Sequence, residues 1–341
     1  MYARFRGIAR LCEAMNERQF VDLLKRRAAP RPGRNALPGL RQGIGDDCAV
    51  LAHTRHKDLL VTTDLFLEEI HFRRSWQVPE SLGHKALARG LSDIAAMGGT
   101  PRFAFLSLGV PSGNAAKTGR TRKTAAKWLD DFLAGFFHLA ARSKVVLAGG
   151  DTGASPARLL ADVVVVGEVP RGRAVLRSGA QPGDEIWVSG TLGTAAMGLA
   201  ALQRGKKLRP LDPTLQSFCY PEPRLRVGVY LRRRKLASAM MDLSDGLSVD
   251  LARLCEASRV GALIDAVLLP RLPETPLHDA LHGGEDFELL FTVPPGRSHK
   301  LPRSIGGVTL TRIGRIISGR KLSLIQDNRK QPLPVLGFQH F

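Results

Sequence analysis

The sequence predicts a two-domain α/β protein with α+β mixed sheets, and three observations carry that expectation. At 341 residues the chain exceeds the roughly 250 to 300 residues at which one hydrophobic core stops growing, so two cores are the default. Short β-branched or apolar runs alternate with longer stretches of helical period, which is the pattern of mixed layers. Between 170 and 182 that pattern breaks into Arg, Gly and Pro, with turn chemistry at Arg171-Gly172 and Pro182-Gly183. The domain boundary is placed there. Residues 1–16 read as an extension with Met15 as an alternative start, 17–170 as the N-terminal domain and 171–341 as the C-terminal domain.

Residues 59–63, 103–110, 145–148, 162–169 and 186–189 read as strands, because each is a short run of β-branched or apolar residues. Residues 82–97, 125–142, 194–204 and 247–258 carry the 3.6-residue period of amphipathic helices. Pro221–Pro223 and 270–276 read as loops inside the second domain, and no repeat of fixed period is evident.

Composition removes several function classes. The apolar runs at 163–166 and 289–291 are far shorter than the roughly 18 residues that a membrane helix needs, so no membrane span is expected. Cys12, Cys48, Cys219 and Cys255 are widely spaced, with neither paired metal spacing nor a dense disulfide pattern, which suits a reducing cytoplasm. The net charge of +19 raises nucleic acid as a partner. Its basic residues fall in scattered clusters that are not interleaved with aromatics, and the reading favoured is a solvated basic surface with no specific nucleic-acid partner.

Against that basic background the placement of the acids is informative. Carboxylates sit in Gly-rich or small-residue turns at 43–47, 62–64, 91–93, 149–151, 242–246 and 283–286. Hard divalent cations take oxygen ligands, and nucleotide-bound Mg²⁺ typically uses one or two carboxylates with phosphates and water. Glycine beside them lets backbone N–H groups approach phosphate oxygens, and a neighbouring Thr or Ser adds a neutral oxygen. Taken singly, each such acid is more often an Asx-turn or a helix cap.

Asp93 is the only acid between Ser81 and Leu129. In helical projection Leu87, Leu91, Ile94 and Ala95 form a core stripe and Lys85, Arg89 and Ser92 a polar one, whereas Asp93 falls with Ala86, Gly90 and Met97 on a face of small residues. A carboxylate there needs a metal or, as the plainer alternative, a buried arginine. Asp242 ends the apolar run 239–241 and precedes Ser244-Asp245-Gly246, where Asp245 is either an acid stabilising the following helix N-terminus or part of a phosphate site. Neither G-x-x-x-x-G-K-[ST] nor a Gly-rich loop with a catalytic H-R-D occurs, so an ATP enzyme would need another architecture.

The motifs GIGDDCAVL (43–51), TTDLFLEEIHF (62–72), KALARGLSDIAAMGGTP (85–101), AGGDTG (148–153), RSGAQPGD (177–184), MDLSDGL (241–247), GGEDFELLFTV (283–293) and GFQHF (337–341), in that order, closely resemble the thiamine-monophosphate kinase family. That family sits in the superfamily of aminoimidazole ribonucleotide synthetase and selenophosphate synthetase. The resemblance implies the two-domain aminoimidazole ribonucleotide synthetase-like fold, with N-terminal domains pairing across a homodimer. It implies transfer of the γ-phosphoryl of ATP to thiamine monophosphate with several Mg²⁺ ions. Position by position, it implies Asp47, Thr62, Thr63, Asp64, Asp93, Asp151, Asp242 and Asp245 as metal ligands. Gly150, Asp151, Arg177 and Ser244 correspond to ATP contacts, and His71, Glu285 and Phe338 to thiamine contacts. Asp93, Asp151, Arg177 and Asp242 are the residues assigned to catalysis, and Asp46 is set aside as structural. Gly153 departs from the family's usual GGDTT.

The acceptor is itself a phosphate, so positioning and charge neutralisation suffice and direct in-line attack without a phosphoenzyme is expected. Two alternatives stand beside this reading. Selenophosphate synthetase calls for a reactive Cys beside a Lys near the start, and Cys12 has no adjacent Lys. A non-catalytic basic nucleic-acid-binding protein rests on charge alone.

Overall fold

The computed structural model describes residues 39–111, 119–206 and 212–338, with side chains from 126 onward in the second stretch, and the isolated positions Gln19 and Asp22. The expected 1–16 extension lies outside the described residues.

An N-terminal six-stranded sheet is built from β1 (Leu40–Gln42), β2 (Ala49–Ala52), β3 (Lys57–Leu67), β4 (Thr100–Pro111), β5 (Val146–Ser155) and β6 (Leu160–Pro170), in the order β1-β2-β3-β6-β4-β5. Its neighbours are antiparallel except β4 and β5, which run parallel. Helices α1 (Pro79–Ala96) and α2 (Gly119–Ser143) cover one face. The strict alternation of burial along β6 assigns Val163, Val165 and Val169 to that covered face. With Leu60, Leu87, Leu91, Ile94, Phe132 and Phe136 they form the first core.

The second sheet begins with β7 (Glu185–Ser189) and continues through β8 (Ala239–Leu243), β9 (Gly261–Asp265), β10 (Glu288–Val293), β12 (Val308–Ile317), β13 (Leu322–Gln326) and β14 (Arg329–Pro332), with the short β11 (Ser304–Ile305) paired to β12. Its order is β14-β13-β9-β12-β7-β10-β8, antiparallel except for β13 beside β9. Helices α3 (Thr194–Gln203), α4 (Pro213–Cys219), α5 (Leu225–Arg233), α6 (Leu247–Ser258), α7 (Leu277–His282) and α8 (Pro295–Ser298) complete this half. Every strand and helix expected from sequence is present, and both sheets are mixed.

Helix α1 is buried nearly all round because it lies between the two halves. Towards α2 the backbones almost touch: a Cβ on Gly83 would fall 1.8 Å from the Phe132 carbonyl oxygen, and one on Gly135 1.8 Å from that of Glu80. Towards the second half, Ala95 meets Gly228 of α5, where a Cβ would lie 2.0 Å from the Ala95 oxygen. The stripe of Lys85, Arg89 and Ser92 therefore does not face solvent. Lys85 and Ser92 are fully buried, because each finds an acidic partner on the C-terminal half.

These contacts generate a stability prediction. Gly83→Ala and Gly135→Ala gain up to about 1 kcal/mol of helix propensity, but each forces α1 and α2 apart, and overpacking of this kind costs about 1 to 3 kcal/mol or more. Both variants should melt below the wild type. Gly296→Ala, which meets nothing within 4 Å, should melt with it or slightly above it, and thermal denaturation followed by circular dichroism separates the cases.

Candidate active site

The acidic motifs converge where β2, β3, α1 and β8 meet. Gly90 lets α1 approach the sheet, since a Cβ there would come 2.7 Å from Val165 Cγ2 and 3.7 Å from Thr62 Cγ2. Asp93, almost one turn on, thereby reaches the same sheet, and Thr62 Oγ1 donates to its Oδ2 at 2.5 Å. From the other side Ser92 Oγ donates to Asp242 Oδ2 at 2.7 Å, tying α1 to the end of β8. Asp47 completes the group. Asp47, Asp93 and Asp242 each present a carboxylate oxygen, and these oxygens lie within 4.8 Å of one another.

The electrostatics of this corner are unfavourable without a cation. Burial first, then Asp64, Asp242 and Asp47, raise the Asp93 carboxyl well above its ordinary value. Burial and then Asp47 do the same to Asp242. Among the described residues no lysine or arginine lies within ion-pair distance of either, so the buried-arginine alternative for Asp93 is not what the structure shows. The arginines nearby have other partners. Arg177 grips Asp47 with two bonds, Nη2 to Oδ1 at 2.7 Å and Nε to Oδ2 at 3.2 Å, and Arg89 Nη2 donates to Asp64 Oδ1 at 3.1 Å. Asp46 accepts from the backbone N–H groups of Arg177 and Asp47 at 3.1 to 3.3 Å, a structural turn, and burial with the Asp47 charge pushes it up to about 7.

Other expected residues form a second group around the C-terminal half. Glu285 donates its backbone N–H to Ser244 O at 2.7 Å. Its carboxylate accepts from Lys85 Nζ and lies 3.7 Å from Arg89 Nη1. Asp245 is paired with Arg253 at 2.5 Å. It is not the acceptor at the α6 N-terminus: Asp250 Oδ2 accepts from the N–H groups of Asp245 and Gly246 at 3.1 Å each. The tail returns to this corner, with Phe338 N donating to Asp245 O at 3.2 Å and the Phe338 ring 6.2 Å from His71. His71 itself is oriented by Leu67 N–H, which donates to Nδ1 at 2.9 Å.

Of the other expected ligands, Asp64 and Asp245 are held by Arg89 and Arg253, and Thr63 and Asp151 lie on the other side of the sheet from the triad. Thr63 follows Thr62 on β3 and so points through the face opposite the helices, exposed among the described residues, where its Oγ1 donates to Asp162 Oδ1 at 2.8 Å. Ser107 pairs with both Asp162 and Asp151, which places exposed Asp151 on that same face. Gly150 next to it has φ +149, and a Cβ there would lie 1.9 Å from Leu106 O, so only glycine allows β5 to pair at this point. Sequence reading missed Asp162, Asp250 and the role of Ser92. Asp250 and Ser92 sit at ordinary helical positions with no local motif, and only the tertiary pairing of α1 with β8 and of α6 with its own N-terminus reveals them.

The two halves match the family models of AIR synthase related protein, N-terminal domain over residues 45–169 and C-terminal domain over 181–327, so the class is that of the AIR synthase related proteins. Thiamine-monophosphate kinase of Escherichia coli (strain K12) is 39% identical over 313 residues, covering 88% of this chain and 91% of its own. That of Bacillus subtilis (strain 168) is 35% identical over 319 residues, covering 88% and 93%. The chain belongs to the thiamine-monophosphate kinase family. Among solved structures, AaThiL complexed with AMPPCP and TMP superposes with a TM-score of 0.81 at 31% identity, covering 96% of this chain and 98% of that one. The hydrogenase maturation protein HypE in complex with ATP, at 17% identity and a TM-score of 0.68, shares the fold.

Raised acids set the sign of a pH prediction. An acid whose folded pKa exceeds its unfolded value binds its proton more tightly when folded, so the stability linked to it is fully present below the ordinary carboxylate range and is lost as pH rises towards the folded value. Replacing Asp93 by Asn removes a charge from the crowded group. In chelator-treated protein, Asp93→Asn should melt with the wild type at pH values below the ordinary carboxylate range and above it by a growing margin as the pH rises past that range. A variant that melts lower throughout would mean that the ionised Asp93 carboxylate is held by a favourable partner.

Proposed function

We propose that this protein is a cytoplasmic, Mg²⁺-dependent kinase that transfers the γ-phosphoryl group of ATP to thiamine monophosphate, giving thiamine diphosphate and ADP. The observation that carries the metal requirement is the oxygen triad of Asp47, Asp93 and Asp242, supported by Thr62 and lacking a neutralising cation at Asp93 and Asp242 among the described residues. An all-oxygen, partly buried donor set of this kind suits a hard divalent ion. Magnesium held there, with Asp64 and Asp245 as further ligands, supplies neutralisation of the charge on two approaching phosphates.

The chain's own residues do the positioning. Thr62 and Ser92 fix the orientation of Asp93 and Asp242, and the Arg177 guanidinium, anchored on Asp47, faces the nucleotide phosphates with Ser244. His71, Phe338 and Glu285 hold the thiamine part. An acceptor phosphate oxygen is already anionic at neutral pH, so the reaction needs alignment of that oxygen with the γ-phosphorus and no general base. No helix among the described residues is long and apolar enough to cross a membrane, and Cys48, Cys219 and Cys255 are free and buried, in keeping with a cytoplasmic enzyme.

Asp151 and Thr63 act, in this reading, in the site of a second copy. Their face of the N-terminal sheet exposes Leu65, Phe103 and Phe105 at 53%, 47% and 38%, and among the described residues β5 is an edge strand beside them. Apolar exposure along an unpaired edge is what a homodimer covers.

Incubation of the purified protein with ATP, Mg²⁺ and thiamine monophosphate should yield thiamine diphosphate and ADP in equal amounts, read by chromatography. Asp93→Asn and Asp242→Asn should lower turnover by orders of magnitude with the fold retained. ADP formation without thiamine diphosphate would overturn the assignment of the acceptor. Sedimentation should give a dimer, and a fully active monomer would remove Asp151 from the site.

A further inference from the structure

We propose that Arg89 couples the two halves of the site, so that a nucleotide–metal complex on the Asp64 side tightens binding of the acceptor on the Glu285 side. This rests on the kinase reading above. Arg89 is a side chain of α1 left 15% exposed between two carboxylates of different domains. It is shared unevenly: Nη2 lies 3.1 Å from Asp64 Oδ1, whereas Nη1 lies 3.7 Å from Glu285 Oε1. Its Nε is buried and, among the described residues, without an acceptor, so the guanidinium is not saturated there.

Glu285 depends on this contact more than an ordinary glutamate would. Its backbone is left-handed, with φ 67, and Phe287 two residues on has φ 48, conformations that non-glycine residues hold only when their surroundings impose them. The other carboxylate oxygen accepts from Lys85 Nζ, which is fully buried and sits 3.5 Å from the centre of the Phe218 ring. Lys85 therefore fixes one oxygen permanently, and the second oxygen is the one whose hold varies.

Asp64, Arg89, Glu285 and Lys85 form a row of alternating charge, two negative and two positive, from β3 across α1 to the C-terminal half. A divalent cation taking Asp64 as ligand satisfies that carboxylate and weakens its pull on Arg89. The guanidinium is then drawn to Glu285 alone, and Glu285 becomes fixed at both oxygens. By linkage the acceptor, in needing Glu285 in place, favours the nucleotide–metal complex to the same degree.

Calorimetric titration of thiamine monophosphate tests this, with the non-transferring analogue AMPPCP and Mg²⁺ present or absent. The wild type should bind thiamine monophosphate more tightly with the analogue, on the order of 5- to 100-fold, the usual range for coupled sites. Arg89→Gln should lose that gain while its affinity without the analogue changes less. Should Arg89→Gln melt below the assay temperature, Arg89→Lys keeps a cation at this position without the two-pronged reach, and it too should lose most of the gain. A wild type with no gain, or a folded Arg89→Lys variant with the full gain, overturns the proposal. Failure of the kinase reading looks different: the wild type would then neither bind thiamine monophosphate nor form thiamine diphosphate.

Discussion

Three carboxylates brought within 4.8 Å of one another repel, and the rest of the structure is arranged so that the repulsion does not disperse them. At that separation, each pair of full charges costs roughly 3.5 kcal/mol with an effective dielectric of about 20, a large fraction of the 5 to 15 kcal/mol by which a typical domain is stable. Each acid comes from a separate element: Asp47 just before β2, Asp93 in α1 and Asp242 in β8. No single segment can relax the group by moving alone. The helix that carries Asp93 is held by backbone-close packing against α2 on one side and α5 on the other, which is why its small residues matter more to the site than their chemistry suggests.

The same helix decides how the two halves communicate. Ser92 is bonded to Asp242, and Lys85 and Arg89 face Glu285, so three successive turns of α1 each reach across to the C-terminal half. Between domains that met only through apolar surface, some sliding would be expected. Polar partners buried at fixed spacing resist it, because displacement by even one helical position would leave Lys85 buried without its carboxylate, at a cost of several kcal/mol.

Much of this was legible in the sequence, and the limits have physical causes. Alternating burial on a single covered face made β6 readable, and the periods of α1, α2, α3 and α6 stood out for the same reason. The strands β8 and β10 are buried on both faces and therefore carry no alternation, so they read only as short apolar runs. The β12 strand, interrupted by an irregular register between Arg312 and Gly314, hides its period behind arginines. At the site, the amphipathic projection separated Asp93 from the core stripe and grouped Lys85, Arg89 and Ser92 as a polar one, but it could not show that this polar stripe is buried against the C-terminal half. A helix with two partners has two buried faces, and projection from one sequence assumes a single one. Asp250 was missed because a helix N-terminus is usually satisfied from its preceding residue, whereas here the acceptor is inside the first turn.

The opposition between the whole molecule and its site gives the charge of +19 a physical consequence. Outside the site an approaching polyanion meets a net positive body and is drawn in, most strongly within a Debye length of about 8 Å at physiological salt, because the field is screened beyond it. At the mouth of the proposed site it would meet the carboxylates of the triad, and attraction would turn to repulsion for a bare nucleotide. Only a polyanion that arrives with its divalent counter-ion, or finds one already held, is attractive at both ranges. Arg177 does not remove this condition, because its two bonds go to Asp47, one member of the triad, and Asp93 and Asp242 have no ion-pair partner among the described residues. On the kinase reading proposed above, the acid-rich corner of a basic protein would admit the nucleotide chiefly in its metal-bound form.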